Sequence, residues 1–238
     1  MRPRIGDEKR RSRYCAGILK IVIIIIISYY FHREAEMQTG DKIIFGKYEW
    51  RVLDIQNNAA LIITENIIEW RQYHDKYINI TWADCALRKY LNGEFYDKFS
   101  ETDKSKIVQV TNKNMDNQWY GTTGGKETQD KIFLLSLEET VCKYFGDSGA
   151  LLYNPGKNQR YWFTRKDENN NKRRARRPHE SWDSWWWLRS PGRVGVKAVY
   201  VHGDGNIGIQ GNNILKGNIG DGGHGGGIRP ALWLNMIK

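Results

Sequence analysis

From Asp41 the chain alternates apolar and polar positions. "KIIFGKYEWRVLDI" and "AALIITENII" are rich in Ile, Val, Phe and Trp and predict strands, with Gln56–Asn58 as the hairpin turn between them. The period then lengthens. In Thr81–Phe99, Trp82, Ala86, Leu87, Tyr90 and Leu91 recur at helical spacing, with Thr81 placed to cap the start and Gly93 to stop it. A shorter helix follows from a Ser100 cap, with Asp103 three residues on. "KIVQVTN" leads into a strand, Asn112–Asp130 reads as a long polar loop, and "KIFLLS" predicts another strand; Ser136 then caps a helix that Gly146 ends. Asn154–Ser184 is polar and irregular. Beyond it "VKAVYVHGDGNIGIQGNNI" predicts two strands around a Gly-Asp-Gly turn, and "IRPALWLNMI" a last strand. This order predicts an α+β domain: an antiparallel sheet, two to three helices and a long irregular C-terminal region.

One apolar run lies outside this pattern. Ala16–Phe31 contains Ile21–Ile27, wholly aliphatic, and an aromatic edge of Tyr29, Tyr30 and Phe31. As a helix it spans about 24 Å, a little short of a hydrocarbon core of about 30 Å, and Lys20 can snorkel to the headgroups. The expected organisation is a basic cytoplasmic tail (1–15), one N-terminal transmembrane helix (16–31), a linker (32–40) and an extracytoplasmic domain (41–238). A cleaved signal peptide is the competing reading, although Arg33 spoils the small-x-small site before Ala35.

The formal net charge of +10 suggests nucleic acid until it is located. Residues 1–33 hold eight Lys and Arg against two acids, and Lys172–Arg177 adds five cations, so the rest is nearly neutral. No nucleic-acid partner is expected. "KRRARR" has two readings, a site for an anionic polymer or a solvated loop, and charge runs more often stay solvated. Cys15 falls before the apolar run, while Cys85 and Cys142 sit in helical patterns and read as buried thiols rather than a disulfide. The five histidines have no metal-ligand spacing, and "GDGNIG" occupies a hairpin with no helix after it, which removes the phosphate-loop reading. No cofactor, metal or catalytic residue is predicted.

"FGKYEWRVLDI", "WADCALRKYLNGEFY", "ETQDKIFLLSLEE", "WWWLRSPG" and "GIRPALWL" together resemble a bacterial extracytoplasmic domain family of unknown function. The resemblance covers about residues 38–238. Its closing portion is similar to the variable region of proteins diversified by retroelements, which have a C-type-lectin-like, formylglycine-generating-enzyme-like fold. That likeness implies that the first and last strands of the domain pair and that an irregular excursion between them carries the binding face. The Glu-Pro-Asn and Gln-Pro-Asp tripeptides of calcium-dependent lectins are absent, and no cysteine follows Cys142 to supply the catalytic pair of formylglycine-generating enzymes. The resemblance therefore implies neither calcium nor catalysis.

In a strand Trp185, Trp186 and Trp187 must alternate between faces, so at least one is core. With Arg189, Arg229 and Trp233 they are expected to form a structural frame, the guanidinium groups bound to backbone carbonyls or acidic side chains. Between Gly192 and Gly227, thirteen of thirty-six residues are glycine. The residues interleaved with them, Arg193, Tyr200, His202, Asp204, Asn206, Gln210, Asn212, Asn213, Asn218, Asp221 and His224, form the expected ligand-binding set. Asn, Asp, Gly, His, Tyr, Ile and Val also suit adenine-directed diversification. The expected function is a membrane-anchored, extracytoplasmic, non-catalytic domain presenting residues 193–226 to a protein or glycan. The alternative is a structural or sensory envelope domain whose ligand binds elsewhere, for instance beside Lys172–Arg177.

Overall fold

Two tight turns build the first sheet. The computed structural model describes residues 37–146, 152, 168–216 and 226–236. The chain divides into Met1–Met37 and Gln38–Lys238, and every described element lies in the second unit. Gly46, at φ 57°, folds β1 (Lys42–Phe45) back on β2 (Tyr48–Gln56), so the first predicted strand is in fact a hairpin. Asn57 and Asn58 take φ of 48° and 61°, the primed-turn geometry whose twist suits a two-residue hairpin, and pair β2 with β3 (Ala59–Thr64). Trp50 of β2 is fully buried and its indole N–H donates to the Phe45 carbonyl at 2.9 Å.

The remaining strands are β4 (Glu69–Trp70), β5 (Ile107–Val108), β6 (Val110–Asn112), β7 (Thr128–Asp130), β8 (Trp186–Pro191), β9 (Lys197–Val201), β10 (Ile207–Asn213), β11 (Gly227–Ile228) and β12 (Ala231–Asn235). They make a five-stranded sheet ordered β1-β2-β3-β12-β5, a second ordered β10-β9-β8-β11-β4, and the small β6-β7 pair. β12 runs antiparallel to β3, from Ala231 opposite Ile63 to Asn235 opposite Ala59, so the last strand does pair with the early sheet. Strand pairs are antiparallel except β11 beside β8. The described domain is thus mixed α+β with antiparallel sheets and short helices. None of its described helices is long and apolar enough to cross a membrane; Ala16–Phe31 lies outside the described residues.

Three local expectations change. Thr81–Phe99 is a relay of turns rather than one helix: 3₁₀ at Trp82–Asp84, α at Ala86–Tyr90, π at Leu91–Phe95 and 3₁₀ at Tyr96–Lys98. Thr81 makes no side-chain cap; Cys85 Sγ accepts from the Arg88 amide at 3.4 Å instead. Gly93 does not stop the chain because Leu91 and Phe95 are fully buried. Burial of such side chains is worth about 2 kcal/mol each, against a glycine penalty of about 1 kcal/mol. "KIFLLS" is not a strand but a buried irregular segment with one bridge, Phe133 to Ala231. Asn92 supplies what a ladder would, accepting from the Lys131 and Ile132 amides at 2.8 and 3.2 Å and donating to the Ile132 carbonyl at 2.8 Å. A continuous apolar run cannot distinguish these outcomes.

The third change is the helix Glu168–Arg173, where the sequence reads as irregular. Its three consecutive asparagines are poor helix formers, and tertiary contact holds it: Asn170 and Arg173 are fully buried, and Arg173 Nε donates to the Gly205 carbonyl at 2.7 Å. Gly205 sits at φ 82°, and a Cβ there would lie 1.8 Å from the Asn170 carbonyl oxygen. Two caps match expectation. Ser100 Oγ accepts from the Asp103 amide at 3.1 Å, and Ser136 Oγ and Glu139 exchange reciprocal bonds at 3.1 and 2.8 Å. Gly146 ends that turn at φ 82°. Cys85 is a buried thiol, pushed up to about 12 by burial, but Cys142 is only half-buried; neither is in a disulfide.

Candidate functional site

A cleft of about 590 Å³ is built from three distant pieces of chain. Lys42, Glu49, Arg51, Glu65 and Asn66 come from β1, β2 and the end of β3. Asn171, Lys172, Arg174, Ala175, Arg176 and Asp183 come from the Glu168–Arg173 helix and the segment after it, and Arg229 from the link between β11 and β12. Among the described residues Ala175 is the one apolar residue in this lining.

Backbone bonds fix the second wall. Ile67 N donates to the Arg176 carbonyl at 2.9 Å, Ser184 N to the Ala175 carbonyl at 2.8 Å, and Trp186 Nε1 to the Arg173 carbonyl at 3.1 Å. "KRRARR" is thus tied down through its backbone while Lys172, Arg174 and Arg176 stay exposed to solvent. Arg173 and Ala175 are buried, while Lys172, Arg174 and Arg176 line the cleft. Asp183 holds Arg174 at 2.5 Å and Arg176 at 3.6 Å.

The opposite wall is also paired. Lys42 and Arg51 are cross-strand neighbours, a repulsive arrangement relieved by Glu65, which takes Arg51 Nη2 at 2.5 Å, Arg51 Nε at 2.7 Å and Lys42 Nζ at 3.1 Å. Burial works to raise the Glu65 carboxyl, but hydrogen bonds from Arg51 and Lys42, with the charges of Arg51 and Arg229, bring it down to about 2. Arg229 is only 2% exposed. Its Nε donates to the Thr64 carbonyl at 2.9 Å and its guanidinium lies 4.8 Å from the Trp186 ring centroid. Burial lowers it to about 10, Glu65 opposing and Arg51 reinforcing, so it remains charged at neutral pH. Among the described residues six cations face three carboxylates, a surplus suited to an anionic ligand.

The frame expected from the sequence comprises Trp185, Trp186, Trp187, Arg189, Arg229 and Trp233. Trp186 and Trp187 are fully buried, Trp185 is half-buried, and Trp233 is half-buried on β12. Trp187 Nε1 donates to the Arg71 carbonyl at 2.9 Å, and its ring meets Trp185 at 4.6 Å and Tyr73 at 5.7 Å. Arg189 donates to the Leu134 carbonyl at 2.8 Å and pairs with Glu139 through both Nη atoms.

The expected ligand-binding set is split by the β9–β10 hairpin. At the turn, His202 Nδ1 meets Asp204 Oδ1 at 3.0 Å, and that oxygen accepts from the Asn206 amide at 3.0 Å. Tyr200 packs between Trp185 and His202, at 5.4 and 6.5 Å. At the other end the Arg193 guanidinium lies 5.7 Å from the Tyr120 ring and its amide donates to the Gln210 carbonyl at 2.8 Å. Asn212 and Asn213 accept from the amides of Asn213 and Leu215 at 3.0 and 2.9 Å. Asn212 pairs with Ala198, two residues along β9 from Tyr200, so at their nearest the two groups are about 7 Å apart along the strand. Much of this segment is sheet: Ala198, Val199, Val201, Ile207 and Ile209 are buried. Asn218, Asp221 and His224 lie outside the described residues.

Sequence reasoning missed Lys42, Glu49, Arg51, Glu65, Asn66 and Asp183 as site residues. Alternating charged positions on β1–β3 were visible, but no motif links them to residues more than a hundred positions away.

The pattern of a domain of unknown function (DUF6273) matches residues 57–236. The chain belongs to the DUF6273 family. No curated protein and no solved structure matches it. The DUF6273 match takes in Glu65, Lys172–Asp183 and Arg229, whereas Lys42, Glu49 and Arg51 precede it. Among the described residues no cluster of His, Cys, Asp and Glu is arranged to hold a metal.

Proposed function

We propose that this domain is a non-catalytic ligand-binding module that takes a hydrophilic, anionic ligand in the cleft between Glu65 and Arg176. The observation that carries this reading is the lining itself: one apolar residue and a surplus of three cations, set on walls fixed by backbone hydrogen bonds. Anchoring by Ala16–Phe31, with the domain outside the membrane, is part of the same proposal. A C-type-lectin-like kinship is supported by the pairing of β12 with β3, and it places no demand on which surface binds.

A second reading keeps residues 193–226 as the face that meets a protein or glycan, diversified by a retroelement in the manner of the proteins it resembles. The aromatic run Trp185, Tyr200 and His202 favours it. One experiment separates the two. The full-length chain is applied to an array of immobilised neutral and acidic saccharides, beside Asn66→Trp, which fills the cleft, and the pair His202→Ala/Asn213→Ala. Loss of at least tenfold in apparent affinity with Asn66→Trp alone supports the cleft. Loss with the hairpin pair alone overturns it.

A further inference from the structure

We propose that Arg229 is the anion-recognition residue of the cleft and that the ligand is a carboxylate-bearing saccharide whose carboxylate meets Arg229 Nη1. This rests on the reading of the cleft as the binding site. Arg229 Nη1 is buried without a hydrogen-bond partner, although its own Nε is satisfied by the Thr64 carbonyl. An unpaired donor on a buried cation is costly, and native proteins rarely keep one without a use for it. Thr64 Oγ1, on the residue that accepts from Arg229, is also buried and unpartnered. The guanidinium cannot easily swing away to satisfy itself, because Nε is tethered and Trp186 underlies it.

The other cations show why the ligand should engage here. Arg51 and Lys42 are held by Glu65, and Arg174 and Arg176 by Asp183. Among the described residues Arg229 and Lys172 are the cleft cations with no carboxylate in ion-pair contact, Lys172 Nζ bonding instead to Asn169 Oδ1 at 3.1 Å. A carboxylate carries one charge. A phosphate monoester carries nearly two and would face Glu49, Glu65 and Asp183 at close range, so the mixed lining favours the carboxylate. Those acids, with Asn66 and Asn171, are acceptors and amides of the kind that bind sugar hydroxyls, and the single apolar residue offers nothing to a fatty or aromatic acid. A cleft of about 590 Å³ lies within the size range of small-ligand sites.

The test is calorimetric titration of the full-length chain with tetragalacturonate, neutral maltotetraose and inorganic phosphate. Tetragalacturonate is expected to bind at least tenfold more tightly than either of the others. Arg229→Lys, which keeps the charge but removes Nη1, should weaken it tenfold or more. If Arg229→Lys does not fold, Lys172→Ala, on an exposed side chain, gives the same test with an expected threefold to tenfold loss. Equal binding of maltotetraose or phosphate, abolished by Asn66→Trp, overturns the carboxylate assignment and leaves the cleft standing. Tetragalacturonate binding that is indifferent to Asn66→Trp overturns the cleft itself. No detectable tetragalacturonate binding, or full binding by the folded Arg229 and Lys172 variants, overturns this proposal.

Discussion

Glu139→Ala is expected to lower the stability of the domain by roughly 3–5 kcal/mol, the range for removing one partner of a buried ion pair. Arg189 is 4% exposed, pairs with Glu139 through both Nη atoms, and has a buried Nε with no partner of its own. Without Glu139 the cation is left stranded beneath Leu134 and Phe133. The same substitution opens the capping box with Ser136, since the Glu139 carboxylate accepts from the Ser136 amide. Urea titration should show a lower midpoint at unchanged slope; a loss under about 1 kcal/mol would contradict this account of the pair. The pH dependence follows in sign. Burial acts to raise Glu139, yet the charge and hydrogen bonds of Arg189 outweigh it, and its pKa in the folded state lies below the ordinary value of 4.5. Its stabilisation is therefore full above the ordinary carboxylate range and lost as pH falls through the folded value. Glu65, lowered from 4.5 to about 2, adds loss in the same direction between those values. A urea midpoint that did not fall between pH 5 and pH 2 would refute both assignments.

Asp130→Ala is expected to be comparably damaging, at roughly 3–5 kcal/mol. The carboxylate is fully buried and collects Trp82 Nε1 at 3.0 Å, Arg88 Nε at 2.6 Å, Asn112 Nδ2 at 2.9 Å and Thr128 Oγ1 at 2.7 Å. It thereby joins the turn relay after Thr81 to the β6–β7 pair. Alanine leaves these donors buried and Arg88 without its carboxylate. Arg88→Met gives up the Arg88 Nη1 and Nη2 bonds to the Ala83 and Gln129 carbonyls, at 2.9 and 3.0 Å, but removes the unpaired charge, so the double variant Asp130→Ala/Arg88→Met should recover part of the loss. Thermal unfolding of both variants checks it: a double variant no more stable than Asp130→Ala would show that the charge was not the main cost.

The sheets were legible because their signals are local. Asn57-Asn58, the Gly203-Asp204-Gly205 turn and the alternation in β2, β3, β9 and β12 each act within a few residues. The indole and guanidinium frame was legible because such large groups, once buried, need a partner for each N–H. Helices were harder. The sequence from Thr81 to Phe99 has helical periodicity, and Leu91, Phe95 and Phe99 are buried as that spacing implies, but the chain reaches those positions through alternating 3₁₀, α and π turns. The helix at Glu168–Arg173 has three asparagines at its centre that weaken its propensity signal, and the Gly205 turn and the buried Arg173 hold it. The cleft was least legible. Composition marks Lys172–Arg177 as a charge run, yet whether such a run is tied down depends on Asp183, Ile67 and Trp186. The glycine-rich segment drew attention for a composition that turn chemistry also produces: His202, Asp204, Asn206, Asn212 and Asn213 make bonds to their own turns.

The most direct measurement is a crystal structure of the full-length chain grown with tetragalacturonate. A sugar carboxylate within hydrogen-bond distance of Arg229 Nη1, between the Glu65 and Asp183 walls, is the predicted result. Ligand seated instead on the β9–β10 hairpin, with the cleft empty, would contradict it.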